Sequence, residues 1–142
     1  MPVYAPIEVV LISLVVSITL GFIWYGPLFG ATWMKQTGIA MPKERPSMAM
    51  MLPSMLLSLL GTLFLSFALM SVIEFHNAYF TVSGIVPNLS LAFFLWLGFF
   101  VPVYLNQKGW EGRSWSLFAI NSGYWLVMLC VIALLTTYFV AV

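Results

Sequence analysis

The chain has 142 residues and a net charge of +1; 63% of its side chains are hydrophobic and only 6% are charged. Ordinary soluble domains are about half apolar and about a quarter charged, so a globule in water built from this chain would lack polar cover, and lipid must be its solvent. The near-neutral charge without a dense basic patch excludes a nucleic-acid partner, and one cysteine, Cys130, excludes an intrachain disulfide framework.

A helix crossing the hydrocarbon needs about 20 mostly apolar residues. Four stretches qualify, and their expected bounds are 7–29, 48–73, 86–105 and 114–140. They lack the alternation of barrel strands, and lipid leaves unpaired backbone groups no other solution than helices. The expected fold class is therefore all-α: one polytopic membrane domain over residues 1–142, with four transmembrane helices in a bundle of two hairpins.

No Lys or Arg precedes Lys35, so the first stretch reads as a retained span and not as a cleaved signal. Gly26-Pro27 breaks it, and the segment from Leu28 to Gly38 is expected to form a short interfacial helix. Ser47 and Ser114 suit N-caps of the second and fourth spans, and Pro87 suits the first turn of the third. Pro53 and Pro102 each remove a backbone bond and predict local bends.

Orientation follows from the loops. The first connection carries Lys35, Lys43 and Arg45, the third carries Lys108 and Arg113, and the second carries no cation. The positive-inside bias places both basic loops in the cytoplasm and both termini outside. Trp24, Tyr25, Trp33, Tyr104, Trp110 and Trp115 then gather at the cytoplasmic ends, where an indole or phenol sits half in lipid and half in water.

Small residues let membrane helices approach closely. Ser13, Ser17 and Gly21 on the first span share a four-residue spacing with Ser54, Ser58, Thr62 and Ser66 on the second, and Ala119 and Gly123 give the fourth a shorter row. These rows predict packing of the first two helices; the alternative is that each hydroxyl bonds to its own preceding turn. Leu20-Gly21-Phe22 and Leu97-Gly98-Phe99 form a weak internal echo on two parallel spans, of the sort chance supplies in a Leu-, Gly- and Phe-rich chain.

Few residues carry chemistry. Glu111 and Arg113 flank Gly112 where the chain re-enters the bilayer, in reach of neighbours such as Lys35 or Arg45. Asn121, two turns inside the fourth span, is expected to face the bundle interior and bond to another helix, because an unpaired amide in hydrocarbon is costly. Tyr124 lies beside it. Glu8, Glu74, His76 and Asn77 sit at the opposite edge and read as solvated loop-end residues. With no Asp and a single His there is no hydrolytic triad, no zinc pair and no phosphate loop. Enzyme activity is disfavoured, and neither a cofactor nor a metal is expected.

Two blocks, Gly21-Phe22-Ile23-Trp24-Tyr25-Gly26-Pro27-Leu28-Phe29-Gly30 with Trp33-Met34, and Glu111-Gly112-Arg113 with Ile120-Asn121-Ser122-Gly123-Tyr124, resemble the bacterial membrane family catalogued as domain of unknown function 1761. The resemblance spans nearly the whole chain and implies a small polytopic protein of a bacterial inner (cytoplasmic) membrane. It implies no reaction. Similar members often carry a His after the Gly-Tyr pair, where this chain has Trp125.

The function expected from these residues is structural or accessory: assembly with itself, as a homo-oligomer, or as a subunit of a larger membrane complex, with membrane lipids as surroundings. The alternative is a carrier or binding protein for a lipid or small apolar molecule. Its pocket would draw on Asn121, Tyr124, Trp33, Trp110, Glu111 and Arg113.

Overall fold

The computed structural model of the chain describes residues 6–39 and 47–140, apart from the side chain of Met48. Lys43 and Arg45, two of the five expected cytoplasmic cations, lie outside the described residues. Within them there is no strand, and four helices are long and apolar enough to cross a membrane: Ile7–Leu28, Ala49–Phe80, Ile85–Trp110 and Trp115–Val140. The protein is an all-α integral membrane protein with four spans.

The first span opens as α1 (Ile7–Ile23) and widens into a π-helical turn over Trp24–Leu28. At Gly26, φ is −107° and ψ is −107°, outside helical values, and the chain kinks there. Pro27 has no N–H to donate, and the N–H of Phe29 instead reaches five residues back to the carbonyl of Trp24, at 2.9 Å. The kink sends the chain into a separate short helix, α2 (Gly30–Thr37), which ends at Gly38 with φ +75°. A left-handed glycine of this kind closes a helix without Cβ strain.

The second span is α3 (Met48–Phe80). Its 33 residues, at 1.5 Å each, make a rod of about 50 Å. It passes seven residues beyond the expected end at Ile73, because Glu74, His76 and Asn77 lower the hydropathy without breaking the helix. It stops at Thr81, where φ is +53°. Nor does Pro53 end it: α3 is one unbroken helix through that position. Ser47 precedes α3 without a side-chain cap bond.

The third span is α4 (Ile85–Leu95), a second π-helical turn (Trp96–Phe100), and α5 (Val101–Trp110). It too outlasts its expected end, at Leu105. Pro102 falls at the start of α5, so the expected bend takes the form of a wide turn just ahead of the proline. Here the N–H of Val101 bonds to the carbonyl of Trp96, again five residues back. Gly112, with φ +66°, turns the chain into α6 (Trp115–Val140). Ser114 caps it, accepting from the N–H of Leu117 at 3.1 Å.

Helices α1 and α3 pack along each other, as do α4 and α6, and α6 also touches α1, α2, α3 and α5. The fourth span is the axis of the bundle. Nine of its residues are buried, from Leu117 to Thr136, and Tyr124, Met128, Leu129, Ile132 and Ala133 form most of the core. A second cluster joins Val9, Val10 and Met70 to Leu135 and Phe139. The start of α1 and the end of α6 therefore share one end of the bundle, here the terminal end. Lys35, Lys108 and Arg113 lie at the other, the basic end.

Candidate functional site

Both π-helical turns begin with a Trp-x-Gly sequence, and both tryptophans point at α6. The indole N–H of Trp24 donates to the carbonyl of Ile120 at 3.0 Å. That of Trp96 donates to the carbonyl of Ser122 at 2.7 Å. Two spans thus grip the same turn of the fourth helix at carbonyls two residues apart. Each indole satisfies a polar group that hydrocarbon would leave without a partner. The structural equivalence pairs Trp24 with Trp96, and not Gly21 with Gly98 as the Leu-Gly-Phe echo suggested.

The motif residues assemble around the first of these contacts. Tyr25 donates its hydroxyl to Oδ1 of Asn121 at 3.3 Å, so the intramembrane amide bonds across to another helix. Tyr124 donates to the backbone carbonyl of Ser17 at 3.3 Å. The ring of Tyr25 lies 5.3 Å from Tyr124 and 5.5 Å from Trp33, and Trp24 lies 4.9 Å from Phe29. Trp125, at the position where relatives often have His, packs on Phe100 and Tyr124 at 5.5 and 5.3 Å.

Three glycines shape this cluster by close approach. A Cβ on Gly30 would stand 2.5 Å from the carbonyl oxygen of Tyr25, so only glycine lets α2 begin there. A Cβ on Gly123 would meet the Trp24 ring at 3.3 Å, and one on Gly21 would meet the Tyr124 hydroxyl at 3.7 Å.

The six residues suggested as a binding set divide in two. Asn121, Tyr124 and Trp33 belong to the cluster. Trp110, Glu111 and Arg113 stand apart on the turn between α5 and α6, where Trp110 is 89% exposed. Glu111 and Arg113 reach each other, with Nε and Oε2 at 3.2 Å and both side chains about half exposed. They do not bridge to Lys35, and Arg45 lies outside the described residues. Lys108 holds its ammonium 5.7 Å above the Trp115 ring.

The small-residue rows also divide. Val9 and Met70 share the terminal cluster; four-residue steps along each antiparallel helix lead to Ser13 and Ser66, then to Ser17 and Thr62, all buried. Ser17 and Thr62 bond back to the carbonyls of Leu14 and Ser58, while the hydroxyls of Ser13 and Ser66 have no partner among the described residues. Gly21 is half-buried beside Tyr124. Ser54 and Ser58 are exposed; the same steps set Ser58 level with the half-buried Gly21 and Ser54 level with Tyr25, next to the kink at Gly26. Ala119 is exposed as well.

Chemically, the cluster offers aromatic faces, one amide and two phenols, with no ionised side chain among them. Among the described residues, no group of three His, Cys, Asp or Glu side chains is placed to hold a metal. The residues that sequence reading missed are Trp96 and Asn88. Asn88 is buried on α4 and donates to the hydroxyl of Thr137 at 2.7 Å.

Residues 9–137 match a family described as a protein of unknown function, DUF1761. No curated protein and no solved structure matches the chain. The match takes in nearly all of the four spans, both tryptophan grips and the whole aromatic cluster, and the chain belongs to this family.

Proposed function

We propose that the protein is a structural or accessory component of its membrane, assembling with a second copy of itself or within a larger membrane complex. One observation carries the reading. The motif cluster is spent on the protein's own packing, with the indoles of Trp24 and Trp96 and the phenols of Tyr25 and Tyr124 each bonded to another span, while the first half of α3 is left largely uncovered by the described residues. From Ala49 to Gly61 that helix is exposed except at Met55 and Leu59. This bare stretch also holds Ser54, Ser58 and Gly61, small residues of the kind that let a second transmembrane helix approach.

Light scattering of the purified protein in a mild detergent, together with oxidative cross-linking of Ser58→Cys in a Cys130→Ser background, tests the proposal. A stable mass above the monomer and an efficient 58–58 cross-link support self-assembly. A defined co-purifying membrane protein that protects position 58 supports the larger complex. A monodisperse monomer with no such companion and no cross-link overturns the reading. The bacterial inner membrane that the family resemblance implies remains part of this proposal.

A further inference from the structure

At the terminal end of the bundle, far from the aromatic cluster, a partly enclosed pocket of about 220 Å³ opens between α3, α4 and α6. Its polar lining is Glu74, Asn77, Ser83, Asn88, Thr136 and Thr137. Asn88 is only 1% exposed, yet its Oδ1 has no hydrogen-bond partner among the described residues. A buried amide oxygen left alone is costly. This one lies against a cavity several times the roughly 30 Å³ share of one liquid water.

The hydrogen bonds around Asn88 fix what the pocket presents. Thr137 gives its hydroxyl proton to the carbonyl of Ala133 at 2.8 Å, so toward Asn88 its oxygen can only accept. The NH₂ of Asn88 then faces Thr137, and Oδ1 is left beside the pocket as a buried acceptor. Thr136 likewise donates to the carbonyl of Ile132 at 2.8 Å. Both threonines therefore offer lone pairs and no protons. Glu74 adds a carboxylate. Asn77 and Ser83 can also donate, but the threonine oxygens, Asn88 Oδ1 and the one carboxylate together favour a ligand with N–H donors and a positive charge. A multivalent metal ion would want more carboxylates than the single one here, and the apolar walls supplied by Ile73 and Val140 suit a short carbon chain.

We propose that this pocket binds a primary ammonium group, one N–H directed to Asn88 Oδ1 and the charge facing Glu74. Such a group occurs on an ethanolamine lipid headgroup, and also on a free small amine. The inference is independent of the assembly proposed above.

Native mass spectrometry on the full chain, offered phosphatidylethanolamine and phosphatidylcholine in equal amounts, provides the test, because methylation of the choline nitrogen removes every N–H. Propylammonium chloride, titrated against the thermal unfolding midpoint, reports binding of the free amine. Glu74→Gln, at the half-buried rim, should weaken either interaction about tenfold, the scale of one charge-assisted hydrogen bond. Asn88→Leu should do the same; should that variant fail to fold, Glu74→Gln decides. A preference for the ethanolamine lipid with no propylammonium effect assigns the site to lipid. The reverse pattern assigns it to a free amine. Equal retention of the two lipids with no propylammonium effect overturns the proposal, and so does a preference that Glu74→Gln leaves intact.

Discussion

Trp24 and Gly123 fit each other as ring and cleft: the indole lies where a Cβ at position 123 would stand 3.3 Å from its Cζ2, and its N–H bonds one turn away to Ile120. The missing methyl and the hydrogen bond act together to seat the first span on the fourth. Trp96 makes the corresponding bond from the third span. The bundle is thus held at one turn of α6 from two directions.

Trp24→Phe and Trp96→Phe keep the aromatic bulk and remove the donor. Each should lower stability by about 1 kcal/mol, the range found for hydrogen bonds between membrane helices. The measurement is unfolding from mild detergent into a denaturing one. Losses that add in the double variant would mark the grips as independent, and a double loss smaller than the sum would mark them as one unit.

The glycines form a graded series. Gly30→Ala forces a methyl against the Tyr25 carbonyl and should cost more than about 2 kcal/mol, in the manner of an overpacked core. Gly123→Ala should cost about 1 kcal/mol, since the Trp24 ring must give by a few tenths of an ångström. Gly98→Ala meets nothing within 4 Å and should be neutral. Thermal unfolding midpoints of the three variants check the order 30, then 123, then 98.

Ser13 and Ser66 carry buried hydroxyls without partners among the described residues. Replacing either with Ala removes an unsatisfied group and almost no volume, so Ser13→Ala and Ser66→Ala should leave stability within about 0.5 kcal/mol of the parent or raise it. Ser13→Leu, by contrast, should separate α1 from α3. Unfolding midpoints distinguish these outcomes, and a large loss in the alanine variants would show that the hydroxyls bond across the contact.

The exposed ion pair of Glu111 and Arg113 should matter little to the fold. Glu111→Gln is expected to change stability by less than about 1 kcal/mol, and less still in high salt. The same unfolding assay at low and high ionic strength reads both.

Charge asymmetry makes an orientation prediction. In a Cys130→Ser background, Ser83→Cys should react with a membrane-impermeant thiol reagent in intact cells, and Lys35→Cys only after permeabilisation. The opposite pattern would reverse the topology read from the basic loops.

How much of this was legible in the sequence follows from what each residue type can signal. The four spans were, because hydropathy is a direct statement about solvent. Gly26-Pro27 and Asn121 were, because a helix breaker and an intramembrane amide each need explaining wherever they stand. The ends of α3 and α5 were not, since hydropathy fades at Glu74 and Asn106 while nothing there breaks a helix. Trp96 left no trace: a mid-span indole looks merely apolar, and its partner is a backbone carbonyl. Asn88, one residue after Pro87, looks like an edge residue until the fold buries it. The row from Ser54 to Ser66 fixed a face of α3 but not which part of that face a neighbour covers.

That α6 is the axis of the bundle has a consequence for how the molecule is made. Ribosomes deliver it after the other three helices, so the earlier spans enter the bilayer with their tryptophan donors unengaged and only the α1–α3 packing and a small α3–α4 contact available. Completion is therefore abrupt, on arrival of the last helix. A nascent chain stalled before Trp115 would be a loose set of rods that membrane quality control can recognise and remove.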